Sequence, residues 1–244
     1  MLNDFYFNAV AETLKQIEET QNDALTQAAQ AVAACFEQDG ILHTFGCGHS
    51  GSTAIDAFHR SGCFAGIDAI LDPGLMFQCG AHAGTGFERL EGYAKVVLAR
   101  HNFSPKDVLL VVSNSGRNPA GIDAVLYAKE KGVKTIVITA SGAHTVAGTT
   151  SRHSSGKMLK DVADIVVDNC CSANETALEI AGVQTGPVSS VACISILHSI
   201  LFRAAQLLAQ KGIELPIYRS SNAGGDAHNA ALAVRYQGRI KQLD

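Results

Sequence analysis

The segment that most constrains the fold is residues 107–139, DVLLVVSNSGRNPAGIDAVLYAKEKGVKTIVIT. Its two short apolar runs, Val108–Val112 and Lys134–Thr139, are rich in β-branched residues and lack alternation, which is typical of parallel strands covered on both faces. Apolar residues at helical spacing lie between the runs, and Gly132 marks the end of that helix. The segment therefore predicts a strand–helix–strand unit within a parallel α/β sheet.

The loop of this unit, SNSGRNP at residues 113–119, has the composition of an anion site. Backbone N–H groups at a helix N-terminus lack partners, and Pro119 suits the first turn of a helix. An ordinary polar turn has a similar composition, so the loop alone leaves both interpretations open. The loop adds short side chains that donate hydrogen bonds: Ser113, Asn114, Ser115 and Asn118.

A second glycine-rich loop, GCGHSGS at residues 46–52, follows the predicted first strand Ile41–Phe45. It matches the dinucleotide pattern G-x-G-x-x-G, and Asp72 stands near the distance expected for a ribose-binding acid. A nicotinamide enzyme is therefore one alternative. Yet the loop also carries His49 and Ser50, and a terminal phosphate gains more than a pyrophosphate from such side-chain donors.

Both loops leave the carboxyl edge of one parallel sheet, the edge where open α/β sheets bind ligands. Two phosphate-type loops that converge on one crevice favour a small phosphorylated ligand.

Composition narrows the class of protein further. The chain has 244 residues, is 47% hydrophobic and carries a net charge of −4, without runs of Lys or Arg. This balance argues against nucleic acid or an anionic membrane surface as a partner. No uncharged stretch of the roughly 18–20 residues needed to span a bilayer is evident, and the acidic residues 1–20 do not resemble a signal peptide. Seven scattered cysteines predict a reduced, cytoplasmic protein without a disulfide framework.

We expect one domain over residues 1–244, made of a helical arm, an α/β core and a C-terminal tail with a helix. The arm spans residues 1–38, and its apolar residues step by three and four, which indicates one long helix or a helix pair. The core spans 39–212 and ends in a nearly uncharged helix at 187–210. The tail covers 213–244. The arm and the apolar helix together predict a homodimer or homotetramer.

Acid–base candidates lie outside the two loops. Residues 86–100 read as a helix with Glu88 and Glu91 on one face, and we interpret Glu88 as a surface acid favoured by the helix dipole. Glu91 precedes Gly92, an unfavourable residue inside a helix that would allow close backbone approach. Glu91 is therefore the candidate base. Glu175 and Glu179, four apart in a predicted short helix, rank below Glu91.

The candidate acid is His228, in the first turn of the last helix. It lies close to Asn222 and Asn229, and Asp226 is expected to cap that helix.

These motifs together resemble the SIS (sugar isomerase) domain family over about residues 36–212. The resemblance rests on Gly46-x-Gly48-x-Ser50 and on Ser113-x-Ser115-Gly116-x-Asn118-Pro119, where many members have Thr in place of Asn118. The segments GCGHS, ERLEGYA, SRHSSGK and GGDAHN resemble an uncharacterised bacterial subgroup of phosphosugar isomerases and phosphosugar-binding proteins. The resemblance implies a flavodoxin-like three-layer sandwich with a five-stranded parallel sheet, and a homo-oligomer whose site lies near a subunit interface.

The resemblance also implies a site and a reaction. It implies an aldose–ketose sugar-phosphate isomerase that works through an enediol, with Glu91 moving the proton and His228 as the acid, and without a metal or redox cofactor. An N-acetylmuramic acid 6-phosphate etherase is an alternative because Glu91-Gly92 resembles the base position of those enzymes, although Arg60 stands near the place of their second Glu. A non-catalytic phosphosugar sensor is the other alternative. The residues expected to bind the sugar phosphate are Gly48, His49, Ser50, Ser113, Asn114, Ser115 and Asn118.

Overall fold

A five-stranded parallel sheet forms the centre of the computed structural model, which describes residues 5–142, 149–172 and 174–243. The strand order is β2–β1–β3–β4–β5, the flavodoxin-like order. This confirms the predicted fold class. Two predicted strands, β3 and β4, have the expected bounds, and the first strand is displaced by one residue. The strands are β1 (Leu42–Gly46), β2 (Ile67–Ala69), β3 (Val108–Val112), β4 (Lys134–Thr139) and β5 (Ile165–Asp168).

Helices cover both faces of the sheet because the central strands bury both of their faces. Along β3, Val108, Leu110 and Val112 pack into one apolar core, and Leu109 and Val111 pack into the other. The helices are α1 (Phe5–Thr20), α2 (Asn22–Glu37), α3 (Gly51–Ala57), α4 (Ala81–Glu88), α5 (Tyr93–Leu98), α6 (Pro119–Glu130), α7 (Leu159–Val162), α8 (Ser189–Gln210) and α9 (Asp226–Tyr236). The first core contains residues of α1, α2 and α8, and the second contains residues of α5 and α6.

The N-terminal arm is a helix pair that breaks at Gln21. The Gln21 side chain accepts a hydrogen bond from the backbone N–H of Asp168 at 3.0 Å, so the break ties the arm to β5. Helix α8 is long and apolar enough to cross a membrane by length and composition alone. Its inner face, which includes Ile196, Leu197 and Ile200, is fully buried against the sheet and α2. This packing identifies α8 as a core helix.

The prediction of one helix over residues 86–100 is wrong. Helix α4 begins at Ala81, inside the segment expected to be a loop, and ends at Glu88. Gly92 has a left-handed backbone with φ of 84°, and α5 begins immediately after it. Because the chain turns between the two helices, Glu88 and Glu91 do not share a helical face.

Glu175 and Glu179 do not lie on a short helix as predicted. An antiparallel hairpin of β6 (Thr176–Ile180) and β7 (Val183–Pro187) occupies this region. Ala181 and Gly182 both have positive φ, at 52° and 78°, as a two-residue type I′ turn requires. The two-residue turn therefore determines the local structure, although the spacing of the two acids would also fit a helix.

The sequence also predicts that the polar stretch 141–160 forms a wall of the ligand site, and residues 143–148 of this stretch lie outside the described residues.

Candidate functional site

The two glycine- and serine-rich loops meet at one cavity of about 230 Å³. They follow β1 and β3, which are adjacent in the sheet, so their carboxyl ends lie side by side at the point where the strand order reverses. Residues 75–88 and Glu175 complete the walls. The lining residues are Cys47, Gly48, His49, Ser50, Leu75, Met76, Phe77, Ala81, Gly84, Thr85, Glu88, Ser113, Ser115, Asn118 and Glu175.

Glycines shape both loops at positions where a side chain would not fit. A Cβ on Gly46 would lie 2.5 Å from the backbone oxygen of Ser50, so the chain could not turn so tightly after β1. Gly116 has φ of 59°, and a Cβ there would lie 2.7 Å from the Thr139 hydroxyl. The two glycines therefore fix the close packing of the loops at the edge of the sheet.

The serine loop after β3 presents hydroxyl and amide groups to the cavity. The Ser113 hydroxyl accepts a hydrogen bond from the N–H of Gly116 at 3.2 Å, which holds the loop closed. Asn118 has an extended backbone at the N-cap position of α6, and Pro119 begins the helix as predicted.

Asn114 is placed differently from the other loop residues. It is buried, its amide N–H donates to the carbonyl of Ser172 at 3.0 Å, and its carbonyl accepts from Asn169 at 2.8 Å. Asn114 borders a small neighbouring void but does not line the main cavity. Its contacts fix the loop against the segment after β5.

Glu88, interpreted from the sequence as a surface acid, lines the cavity. It is half-buried, and the Asn118 Nδ2–H donates to its Oε1 at 2.7 Å. Arg152 donates to Asn118 Oδ1 at 2.8 Å, which orients the amide so that its nitrogen faces Glu88. The sequence did not reveal this position of Glu88, because it follows from the end of α4 at Glu88, where the last turn of the helix faces the two loops.

Glu91 does not line the cavity. Its carboxylate accepts hydrogen bonds from the backbone N–H of Ser154 at 2.6 Å and from the Ser154 hydroxyl at 2.7 Å. These hydrogen bonds, first that of the hydroxyl and then that of the backbone N–H, hold the pKa of Glu91 below its usual range. Glu91 thus anchors the segment that carries Arg152 and His153.

His228 also lies away from the cavity. It is half-buried in the first turn of α9, and its Nε2 lies 2.9 Å from the carbonyl oxygen of Ile217. Asp226 is the first residue of α9, and Gly225 rather than Asp226 occupies the N-cap position. Within one chain, the structure therefore does not bring His228 and Glu91 to the predicted phosphate loops.

The cavity has one polar wall and one apolar wall. Leu75, Met76 and Phe77 form the apolar side, and the Phe77 ring lies 4.8 Å from the His49 imidazole, centroid to centroid. Among the described residues, the lining contains one imidazole, His49, and two carboxylates, Glu88 and Glu175. No Lys or Arg from the described part of the chain lines the cavity, so hydroxyls, amides and the His49 imidazole supply its side-chain hydrogen-bond donors.

Cys47 and Asp72 also bear on the chemistry expected of the cavity. Burial raises the pKa of the Cys47 thiol well above its ordinary value, with a smaller contribution from Glu88, so Cys47 stays a neutral thiol. Asp72, the candidate ribose acid, accepts hydrogen bonds from the Tyr93 hydroxyl at 2.8 Å and the Gly74 N–H at 2.9 Å. Asp72 does not line the cavity, so its place offers no support to the nicotinamide alternative.

The fold and cavity define an α/β protein with a candidate ligand site at the switch point of a flavodoxin-like sheet. The model of the SIS domain family matches residues 5–140. A UPF0309 protein of Listeria monocytogenes serotype 4b is 38% identical over 246 residues, covering 100% of this chain and 98% of its own. One from Thermoanaerobacter pseudethanolicus is 35% identical over 245 residues, covering 98% of each. The chain therefore belongs to the SIS domain family and, within it, to the UPF0309 proteins.

Solved structures with the same fold include two phosphoheptose isomerases. The enzyme from Neisseria gonorrhoeae aligns with a TM-score of 0.53 at 17% identity, over 82% of this chain and 95% of its own. The enzyme from Francisella tularensis aligns with a TM-score of 0.51 at 21% identity, over the same shares. At this level of identity the likeness establishes the shared fold.

Proposed function

We propose that this protein binds a sugar phosphate in the cavity between the β1 and β3 loops. The observation that carries the proposal is the convergence of three hydroxyls, those of Ser50, Ser113 and Ser115, from two adjacent strands on one cavity. Hydroxyls and the N-terminus of α6 suit the phosphate, and the apolar wall suits the sugar carbons. Membership of the SIS domain family and the fold shared with phosphoheptose isomerases support this ligand class.

The reaction we propose is aldose–ketose isomerisation through an enediol. A base removes the proton from C2 of the open-chain aldose and returns it to C1, while the O2 proton shifts to O1, so no net oxidation occurs. Glu88 is the carboxylate placed for the C2 proton, since it lines the cavity and is held by Asn118. His49 lines the same cavity and is the group placed to assist ring opening. A reduced, cytoplasmic setting and the absence of a redox cofactor are part of this proposal.

Glu91 and His228 keep their predicted catalytic roles only if they act on the cavity of another subunit, because neither lines the cavity of its own chain. Such a role is a separate prediction and does not enter the mechanism proposed for Glu88 and His49.

The test is exchange of the C2 proton with solvent, followed by proton NMR in D2O for a panel of pentose, hexose and heptose phosphates. We expect wild-type protein to exchange the C2 proton of at least one aldose phosphate. Glu88→Gln should lower kcat by about 100-fold or more, the usual scale for loss of a general base. The control is Glu130→Gln, a surface carboxylate at the end of α6, which should keep full exchange.

Two alternatives give different results when binding is measured beside proton exchange and N-acetylmuramic acid 6-phosphate is added to the panel. A sugar phosphate that binds without exchange would assign the protein to the sensors and contradict the isomerase proposal. Release of lactate from N-acetylmuramic acid 6-phosphate would assign it to the etherases.

We also propose that the protein is a homo-oligomer, with the hairpin and α1 in the subunit interface. Phe5 and Ile180, which line one groove between α1 and β6, expose 59% and 68% of their surface, and Val183, paired with Ile180 in the hairpin, exposes 65%. The hairpin begins immediately after Glu175, which lines the cavity, so this interface would lie near the site. Light scattering after size exclusion should give a dimer or tetramer, and Ile180→Asp should lower the mass. A monomeric wild-type protein would contradict the proposal.

A further inference from the structure

Three arginines lie together beside the cavity without lining it. Arg152 donates to Asn118 Oδ1 at 2.8 Å, and its backbone N–H donates to the carbonyl of Arg117 at 2.9 Å. Arg117 directly precedes Asn118, and Arg89 directly follows Glu88, the residue that Asn118 contacts. We call Arg89, Arg117 and Arg152 the arginine cluster. It flanks the side of the cavity formed by Asn118 and Glu88.

The charge of this cluster is not balanced by ion pairs. Over the described ranges, none of the three guanidinium groups forms a salt bridge, whereas Arg60, Arg235 and Arg239 each pair with an aspartate. Among the described residues, the Arg117 side chain donates to the carbonyl of Thr150, at 3.0 Å. The pKa of Arg152 is lowered, first by partial desolvation and then by the positive charges of Arg89 and Arg117, while the Glu88 carboxylate opposes this shift. Positive charges that repel one another at one place are stabilised when an anion binds between them.

We propose that the arginine cluster is a second anion subsite, which binds an additional anionic group, a carboxylate or a second phosphate, on the sugar phosphate held in the cavity. This proposal rests on the proposed function, because it needs a sugar phosphate in the cavity to present the second group. The preferred ligands are thus sugar phosphates with two anionic groups, such as sugar bisphosphates or phosphorylated sugar acids.

The hydroxyls and amides of the cavity and the guanidinium groups of the arginine cluster lie at separate positions, which supports separate roles in binding two anionic groups. Over the described residues, the cavity lining contains hydroxyls and amides but no Arg, so the proposed first phosphate is held without direct help from the cluster. Planar guanidinium groups match carboxylate and phosphate oxygens in pairs of hydrogen bonds, and Arg89 and Arg152 are exposed to incoming ligand. The cluster is therefore the place where such a group can be accommodated.

The experiment compares affinities by calorimetry for a hexose 6-phosphate and for two probes that can bind but cannot isomerise, because their C1 is phosphorylated or oxidised: a hexose 1,6-bisphosphate and a hexonate 6-phosphate. The main variant combines Arg89→Ala with Arg117→Ala and leaves Arg152, which also positions Asn118, in place. Arg235→Ala, which removes an arginine paired with Asp39 before β1, at the opposite edge of the sheet, controls for loss of positive charge.

We expect wild-type protein to prefer at least one ligand with two anionic groups, and the double variant to weaken binding of that ligand by about tenfold, in line with the loss of charge-assisted hydrogen bonds. Affinity for the hexose 6-phosphate, which has one anionic group, should change by about twofold or less, since exposed charges act weakly over longer distances. The relative strengths of the bisphosphate and the hexonate phosphate identify the second group as phosphate or carboxylate.

Two results would overturn the inference. If ligands with one and with two anionic groups bind equally well, the cluster is not a subsite, and the proposed function still stands. The same holds if the double variant keeps the preference for ligands with two anionic groups. If no sugar phosphate binds to the wild-type protein, the proposed function itself fails and the subsite fails with it.

Discussion

At the scale of single residues, Gly92 shows how one backbone conformation separates two candidate catalytic acids, Glu88 and Glu91. Its φ of 84° lies in the left-handed region, and its N–H donates to the buried Asp123 carboxylate at 2.6 Å. A Cβ on Gly92 would meet no other atom within 4 Å, so the requirement is for the backbone angle and not for space. The turn at Gly92 leaves Glu88 at the cavity and directs Glu91 towards Ser154.

Gly92→Ala should therefore lower the free energy of unfolding by about 1–2 kcal/mol, the cost of a left-handed backbone for an ordinary L-residue. Gly92→Asn should cost less because Asn adopts this conformation more readily. Urea denaturation of the two variants measures the difference. Equal stability of wild type and Gly92→Ala would show that the left-handed backbone at this position is not required.

Sequence reasoning identified Gly92 as unusual but assigned it the wrong reason, close backbone approach inside a helix. The positive φ and the helix break could not be deduced from spacing, because Glu88, Leu90 and Glu91 fit a continuous helix equally well. The convergence of the two glycine- and serine-rich loops was easier to predict, since each follows a buried strand of one parallel sheet and such loops leave the same edge. Their role in phosphate binding stays a prediction.

At the scale of elements, the segment 151–154 acts as a clamp between the helices of one face. His153 Nε2 lies 3.4 Å from Asp123 Oδ1 on α6, and Ser154 is held by Glu91 before α5. Arg152 contacts Asn118 at the start of α6. The position of Arg152 thus depends on Glu91, although Glu91 does not line the cavity.

Glu91→Gln should raise KM for the preferred ligand more than it lowers kcat, because the clamp loses a charged hydrogen bond and Arg152 becomes less well positioned. The expected increase in KM is about threefold to tenfold. Steady-state kinetics with Glu91→Gln and Ser154→Ala test this, and the two variants should resemble each other. A loss of kcat by about 100-fold with unchanged KM would instead support the catalytic role first predicted for Glu91.

The parallel strands were predictable because short β-branched runs buried on both faces have few alternatives. The hairpin was not, since Glu175 and Glu179 have helical spacing and the type I′ turn at Ala181-Gly182 is a weak signal on its own. The hairpin places Glu175 at the cavity.

At the scale of the whole molecule, a buried charged network lies at the amino-terminal ends of the central strands, opposite the cavity. His43 Nδ1 and His101 Nδ1 lie 2.8 and 2.7 Å from the same oxygen of Asp68, and His43 Nε2 lies 3.5 Å from Asp107. Burial alone would lower the pKa of His43, but its contacts with Asp107 and Asp68 raise it above the ordinary value. His43 is therefore the cation between two buried carboxylates.

The raised pKa of His43 makes its contribution to stability dependent on pH. The contribution is complete below the unfolded pKa of about 6.5 and is lost as pH rises through the folded pKa. Burial alone would raise the pKa of Asp68, but hydrogen bonds from His101 and His43 lower it, so its own contribution is lost only as pH falls through that lowered pKa.

His43→Asn should lower the free energy of unfolding by about 3 kcal/mol at pH 6, since it leaves two buried carboxylates without their cation. Urea denaturation across a pH series should show the difference between wild type and variant becoming smaller as the pH rises above neutral. A difference that is constant with pH would mean that His43 has the same pKa in the folded and unfolded protein, and a difference that grows with pH would mean that its folded pKa is lowered. The sequence alone did not reveal this network, because its members are far apart in the chain and meet only at the edge of the sheet.

The most direct test of the central claim is calorimetric titration of sugar phosphates into the wild-type protein and into Ser113→Ala with Ser115→Ala. The control is Ser61→Ala with Ser221→Ala, two exposed serines that do not line the cavity. We predict that at least one sugar phosphate binds to wild type and control alike, and that the loop variant weakens it by about tenfold or more. Binding that is unchanged in the loop variant, or binding of a nicotinamide dinucleotide while all sugar phosphates fail, would contradict the account.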